Sequence, residues 1–123
     1  GVQTCALPIL HALAGHPVCG LSYEGFCIDN LLASAGHMVT PYTYRTHAGA
    51  EIDLVLERGG TPWMAIEIKR STSPSLSKGF ELACEDLGIA ERYVVYPGTE
   101  RYPMRRGAQA VGLVALMQHL QNH

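Results

Sequence analysis

The stretch AEIDLVLERGGTPWMAIEIKRS, Ala50 to Ser71, limits the fold more than any other part of the chain. Two short apolar runs flank a Gly-Gly turn, and each alternates in the two-residue period of a strand. A hairpin centred on Gly60 sets Asp53 opposite Glu67 and Glu51 opposite Lys69. Side chains alternate between the faces of a strand. Asp53, Val55, Ala65, Glu67 and Lys69 therefore share one face, and Ile52, Leu54, Leu56, Met64, Ile66 and Ile68 share the other. The second face is uniformly apolar and has to pack on a helix. The first holds two carboxylates and an ammonium among small apolar residues, an arrangement that costs free energy wherever the charges are buried.

The flanking segments supply helices to cover such a sheet. Ser22 caps a helix predicted over Tyr23 to about Ala35 and closed by Gly36. Ile28, Leu31, Leu32 and Ala35 form its apolar stripe, and Glu24 falls on the same stripe, facing inward. VTPYTYRT, within Met38 to Thr46, is rich in β-branched and aromatic residues, and Pro41 marks an edge or a strand start. Glu51 to Glu57 and Trp63 to Lys69 are the next two strands, joined by the turn RGGTP. After the polar connector STSPS, Leu76, Phe80, Ala83, Cys84 and Leu87 give a helix over Ser75 to Leu87, stopped by Gly88. RYVVYPG reads as a buried strand and TERYPMRR as a polar loop. Ala108 to Val111 reads as a short strand, and Leu113 to Gln121 as an amphipathic helix. The order αβββαβ(βα) predicts an α/β domain with a mixed central sheet of about four to five strands flanked by helices.

Bulk composition bounds the rest. A chain of 123 residues, 47% hydrophobic, makes a single domain with a real core. A net charge of −2 supplies no whole-molecule field toward nucleic acid or membrane, though it leaves room for a local basic patch. No apolar run approaches the roughly 18 residues of a membrane-spanning helix. Cys5, Cys19, Cys27 and Cys84 show no CxxC spacing, and the histidines form no HxH or HExxH pattern. This speaks against zinc and for free thiols in a reducing, cytoplasmic setting. GVQTCALPI, Gly1 to Ile9, has no initiator Met, basic n-region or small-residue cleavage site. It resembles the translation of a common sequencing adapter, so residues 1–9 read as a non-native segment before a domain spanning 10–123 in a truncated frame.

Directly opposed strand residues have Cβ atoms roughly 4.5–5.5 Å apart. Two carboxylates that close repel unless a cation lies between them or one keeps its proton. Lys69 supplies part of that charge, and a divalent ion such as Mg²⁺ or Mn²⁺, suited to oxygen ligands, would supply more. The same residues also have a plain reading. Glu51 and Lys69 can form a cross-strand ion pair while Asp53 and Glu67 face solvent from an exposed sheet face. A slip of one residue in register would separate the acids altogether.

Asp53, followed after the strand turn by Glu67-Ile68-Lys69, resembles the core of the PD-(D/E)XK nuclease superfamily, with Ile52 where the name places proline. The segments GHPVCGLSYEGFCIDNLL, YRTHAGAEIDLVLE, AIEIKRS, SKGFELACEDL and YVVYPGTERYP are together similar to a domain of unknown function at the C-terminus of prokaryotic AAA-type ATPases. That similarity runs from about Leu10 to the end. The resemblance implies a PD-(D/E)XK-like (restriction-endonuclease-like) fold and an ATPase domain ahead of it in the same chain. No GxxxxGK[ST] occurs here, so these residues carry no P-loop ATP site. Carried over, Asp53 and Glu67 would hold the metal with support from Glu24, and Lys69 would orient or activate the attacking water. Glu24 also has the plain reading of an acid favoured by the helix dipole in a first turn. Arg45, Arg70 and Lys78 are candidate nucleic-acid contacts, each otherwise a solvated cation. Lys69, Arg101, Arg105 and Arg106 could track a backbone with Arg70 and Lys78 only if the fold gathers them into a patch. The implied function is Mg²⁺-dependent hydrolysis of phosphodiester bonds in DNA. The alternative is a non-catalytic module that binds nucleic acid or a partner and regulates the attached ATPase.

Overall fold

The computed structural model of the protein describes residues 22–123. Gly1–Ile9, the expected domain start at Leu10, Cys5 and Cys19 lie outside the described residues. The Ser22 hydroxyl accepts from the Gly25 N–H at 2.9 Å and opens helix α1 (Tyr23–Ala35), which ends at Gly36 with φ 80°. The buried stripe of α1 runs through Cys27 and Leu31, with Tyr23 one turn earlier packed against the same core. Ile28, Leu32 and Ala35, expected at its centre, flank it instead. With the stripe centred one residue earlier, Tyr23 is the first-turn residue that points inward. Glu24, expected to face inward, is exposed.

Strands β1 (Val39–Arg45), β2 (Glu51–Arg58) and β3 (Thr61–Ile68) follow as an antiparallel meander, with β1 and its Pro41 at the sheet edge. Gly59 and Gly60 make the β2–β3 turn at φ 63° and 80° between the paired Arg58 and Thr61. A two-residue hairpin turn with both φ values positive suits the natural twist of the strands, and glycine adopts it without strain. Helix α2 (Lys78–Leu87) then carries the chain to β4 (Glu91–Tyr96), parallel to β3. The helix starts at Lys78 rather than Ser75 because the Ser77 hydroxyl accepts from the Phe80 N–H at 3.2 Å and caps it.

The remaining elements are β5 (Tyr102–Pro103), a 3₁₀ turn (Arg105–Gly107), β6 (Ala108–Gly112) and α3 (Leu113–Gln121). The sheet has six strands in the order β1-β2-β3-β4-β6-β5, more than the four to five expected. The additional strand is β5, inside the expected polar loop TERYPMRR, where two residues pair antiparallel with β6. Two residues carry no periodic signal, so only the pairing reveals them. Next to it, β6 is an interior strand, parallel to β4.

Each sheet face is covered. Leu54, Leu56, Met64, Ile66 and Ile68 pack with Cys27 and Leu31 of α1 and with Leu116 and Leu120 of α3. Val55 and Ala65 pack with Phe80, Ala83 and Cys84 of α2 on the other side. Ile52 departs from the expected alternation, since it joins the α2 side rather than Leu54 and Leu56. The cause is a β-bulge. Tyr42 lies opposite Val55 and Tyr44 opposite Ile52, so Thr43 alone faces both Asp53 and Leu54. The extra residue bends the strand and rotates what precedes it. The Thr43 hydroxyl donates to the Asp53 carbonyl at 3.2 Å across this irregularity.

Candidate functional site

The bulge falls on Asp53, and its consequence appears on the neighbouring strand. The recorded β2–β3 register ends at Leu54 opposite Ile66. Beyond it, the Ile68 N–H donates to Asp53 Oδ2 at 2.9 Å, so a side-chain carboxylate takes an acceptor place at the end of the ladder. Asp53 is half-buried there. Glu67, one residue before Ile68, is 8% exposed. Its Oε2 lies 3.5 Å from Lys69 Nζ, while its Oε1 is buried with no hydrogen-bond partner. Burial first, then the Asp53 charge, push the Glu67 carboxyl up to about 7, with the Lys69 ammonium pulling the other way.

Asp53, Glu67 and Lys69 are thus brought to one end of the sheet, at the carboxyl ends of parallel strands β3, β4 and β6. Such an end is where open α/β sheets place their ligand sites. The first turn of α1 reaches the same place. Partial desolvation, then the charges of Asp53 and Glu51, raise the Glu24 carboxyl above its ordinary range, and Arg45 opposes them. Glu24 therefore lies within electrostatic reach of Asp53 while remaining exposed. The first turn of α2 comes close as well: a Cβ on Gly79 would clash with the Gly49 carbonyl oxygen, so only glycine permits this approach beside the start of β2.

One expected pairing differs. Glu51 bonds Arg45, its direct partner in the β1–β2 register, at 3.2 Å rather than Lys69. Arg45 is thus paired with an acid on the exposed surface, whereas Arg70 and Lys78 are exposed and make no ion pair among the described residues. Sequence reasoning also passed over Glu81. It is 8% exposed in the first turn of α2, with Oε2 2.7 Å from Arg105 Nε, although the N–H is not aligned into a hydrogen bond. Nothing in the spacing of α2 marks it, because its partner comes from a distant turn. A shallow groove of about 290 Å³, lined by Arg58, Thr61, Pro62, Trp63, Ala90 and Glu91, lies at the hairpin end, away from the carboxylate pair. On its wall the Arg58 guanidinium stacks 3.6 Å from the Trp63 ring centre.

Among the described residues, no three His, Cys, Asp or Glu side chains come together as a ready ligand set. The cluster does offer two carboxylates, one with an unsatisfied buried oxygen, and that donor set suits a hard cation. Mg²⁺ in particular is commonly bound through one or two carboxylates and retains several waters. Cys27 and Cys84 are free and buried, and no helix among the described residues is long and apolar enough to cross a membrane.

Comparison with known proteins agrees on kinship and is silent on chemistry. Curated relatives include an uncharacterized protein of Mycobacterium bovis (Mb2031c) and one of Mycobacterium tuberculosis (Rv2008c). Each is 39% identical over 103 residues, covering 81% of this chain and 22% of the relative. The chain thus spans about a fifth of the length of the curated relatives it matches. No solved structure matches it significantly. Residues 19–116 match the family described as "Domain of unknown function (DUF4143)", and the chain belongs to that family.

Proposed function

We propose that this domain has a PD-(D/E)XK-like core and hydrolyses phosphodiester bonds in DNA with Mg²⁺ or Mn²⁺ held by Asp53 and Glu67. The observation that carries the reading is Glu67 Oε1, a buried carboxylate oxygen without a partner, beside a second carboxylate and a lysine. A buried polar atom left unpaired is unfavourable, and a bound cation would satisfy it. When bound, such an ion lowers the pKa of coordinated water and offsets charge on the phosphoryl oxygens. The protein's own contributions are separate. Asp53 is oriented by the Ile68 N–H. Lys69 places a positive charge at the carboxylates, where it can orient water and balance a phosphate. Glu24, exposed but sensitive to the Asp53 charge, would support the ion from outside.

The setting implied is a longer bacterial or archaeal protein, cytoplasmic, with an AAA-type ATPase domain in the same chain. Its support is the resemblance together with the 78% of each curated relative left outside the match, ample length for a further domain. The test is Mn²⁺ binding and plasmid nicking. Wild type should bind Mn²⁺ and nick in Mg²⁺, Asp53→Ala should lose both, and Lys69→Ala should bind metal without nicking. Equal metal affinity in wild type and Asp53→Ala would remove the catalytic reading.

A second reading is favoured by one specific observation: Asp53 Oδ2 is already engaged by the Ile68 N–H, and among the described residues no third ligand stands ready. On that reading the domain is a non-catalytic module that binds nucleic acid or a partner and regulates the attached ATPase. Nucleic-acid binding without any metal site would select it.

A further inference from the structure

We infer that nucleic acid is held on this domain by a short phosphate track formed by Arg70 and Lys78, not by an extended basic face. This deepens the reading above, since it rests on the site taking a nucleic-acid backbone. All nine Lys and Arg residues of the chain lie within the described residues. Seven have intramolecular partners. Arg45, Lys69, Arg105 and Arg106 pair with Glu51, Glu67, Glu81 and Glu85. Arg58 stacks on Trp63, Arg92 donates to the Ile89 and Arg106 carbonyls, and Arg101 donates to Gln109. Arg70 and Lys78 have no such partner among the described residues, and both are exposed.

A cation neutralised by a carboxylate adds no net charge at a phosphate unless its own pair breaks. Arg58, Arg92 and Arg101 keep their charge but are held by stacking or by hydrogen bonds. That leaves Arg70 and Lys78 as the free exposed cations among the described residues, one at each end of the same connector. Arg70 follows Lys69 directly as the chain leaves β3. Lys78 is the first residue of α2, whose Gly79 lies against the start of β2, the strand that carries Asp53. Each phosphate contact on a single strand contributes about −0.7 to the slope of log K against log salt. Two contacts give about −1.4, and Lys69, once released from Glu67, brings the slope to about −2.

The test is fluorescence anisotropy of a labelled single strand of about 12 nucleotides with the full chain in EDTA, over a range of salt concentrations. The expected slope is about −1.4 to −2. Arg70→Ala and Lys78→Ala should each reduce its magnitude by about 0.7, and Arg70→Lys and Lys78→Arg should restore it. Arg101→Ala and Arg106→Ala should leave it unchanged. No binding at low salt, a slope indifferent to both alanine variants at the connector, or a slope reduced by the Arg101 or Arg106 variants would overturn the track. Its failure in a chain that still shows the Asp53-dependent Mn²⁺ site spares the phosphodiester reading. The expected slopes in a chain without that site leave the track in place on a non-catalytic surface.

Discussion

Replacing Glu67 by glutamine changes how stability depends on pH, with a sign and size set by the environment of that carboxyl. Its ordinary value is 4.5, and burial with the Asp53 charge raises it to about 7 in the folded protein. Below about pH 4.5 both folded and unfolded states hold the proton, and the group contributes nothing to pH dependence. Between 4.5 and 7 the unfolded chain releases a proton that the folded chain retains, so stability falls as pH rises. Above 7 both states are charged and the full penalty is present. One pKa unit corresponds to about 1.36 kcal/mol, so the penalty is about 3 kcal/mol at pH 8. Glu67→Gln keeps the volume and removes the charge, and its amide burial term is independent of pH. Urea unfolding of both proteins in EDTA at pH 5, 6, 7 and 8 provides the measurement. The variant should gain about 2–3 kcal/mol on wild type between pH 5 and 8, titrating groups that do not interact with Glu67 cancelling in the difference. Two curves parallel within about 0.5 kcal/mol would refute the claim that Glu67 carries a buried, destabilised charge.

Three further outcomes test the same geometry. In EDTA, Asp53→Asn should move the Glu67 carboxyl back toward its ordinary value, followed by carboxyl ¹³C NMR titration, and an unmoved midpoint would leave burial as the sole cause. Thr43→Val removes the hydroxyl that donates to the Asp53 carbonyl across the bulge. Urea unfolding should show a loss of about 1 kcal/mol and Mn²⁺ binding should weaken, while Thr43→Ser keeps both; equal affinity in the valine variant would separate the bulge from the site. Gly60→Ala places a Cβ at φ 80° in the hairpin turn and should cost about 1 kcal/mol by urea titration, whereas an unchanged midpoint would argue against that turn geometry.

The legible parts of this fold are those with local causes. Ser22 and Gly36 bound α1, Ser77 and Gly88 bound α2, and the Gly59-Gly60 turn joins two strands whose apolar faces alternate. Each of these signals acts within a few residues, through a cap, a positive φ or a two-residue period. On α1, Ile28 and Leu32 suggest a stripe one residue later than the buried one, which runs through Tyr23, Cys27 and Leu31. Glu24, on the suggested stripe, is therefore exposed. The strand β5 and the burial of Glu81 left no local mark, since each depends on a partner distant in the chain.

Asp53, Glu67 and Lys69 could be named from residue type and spacing, because two strands around a glycine turn bring their far ends together whatever surrounds them. The environment of those groups could not be named. The bulge opposite Thr43, the Ile68 N–H on Asp53 and the unpaired oxygen of Glu67 arise from how β1, β2 and β3 pair and what covers them. Likewise, composition supplied nine cations, and only the folded arrangement decided that acids or other groups engage seven of them. Backbone preference and side-chain periodicity act along the chain and can be read from it. Desolvation and charge pairing act through space, between residues that meet only after the sheet and its helices have assembled.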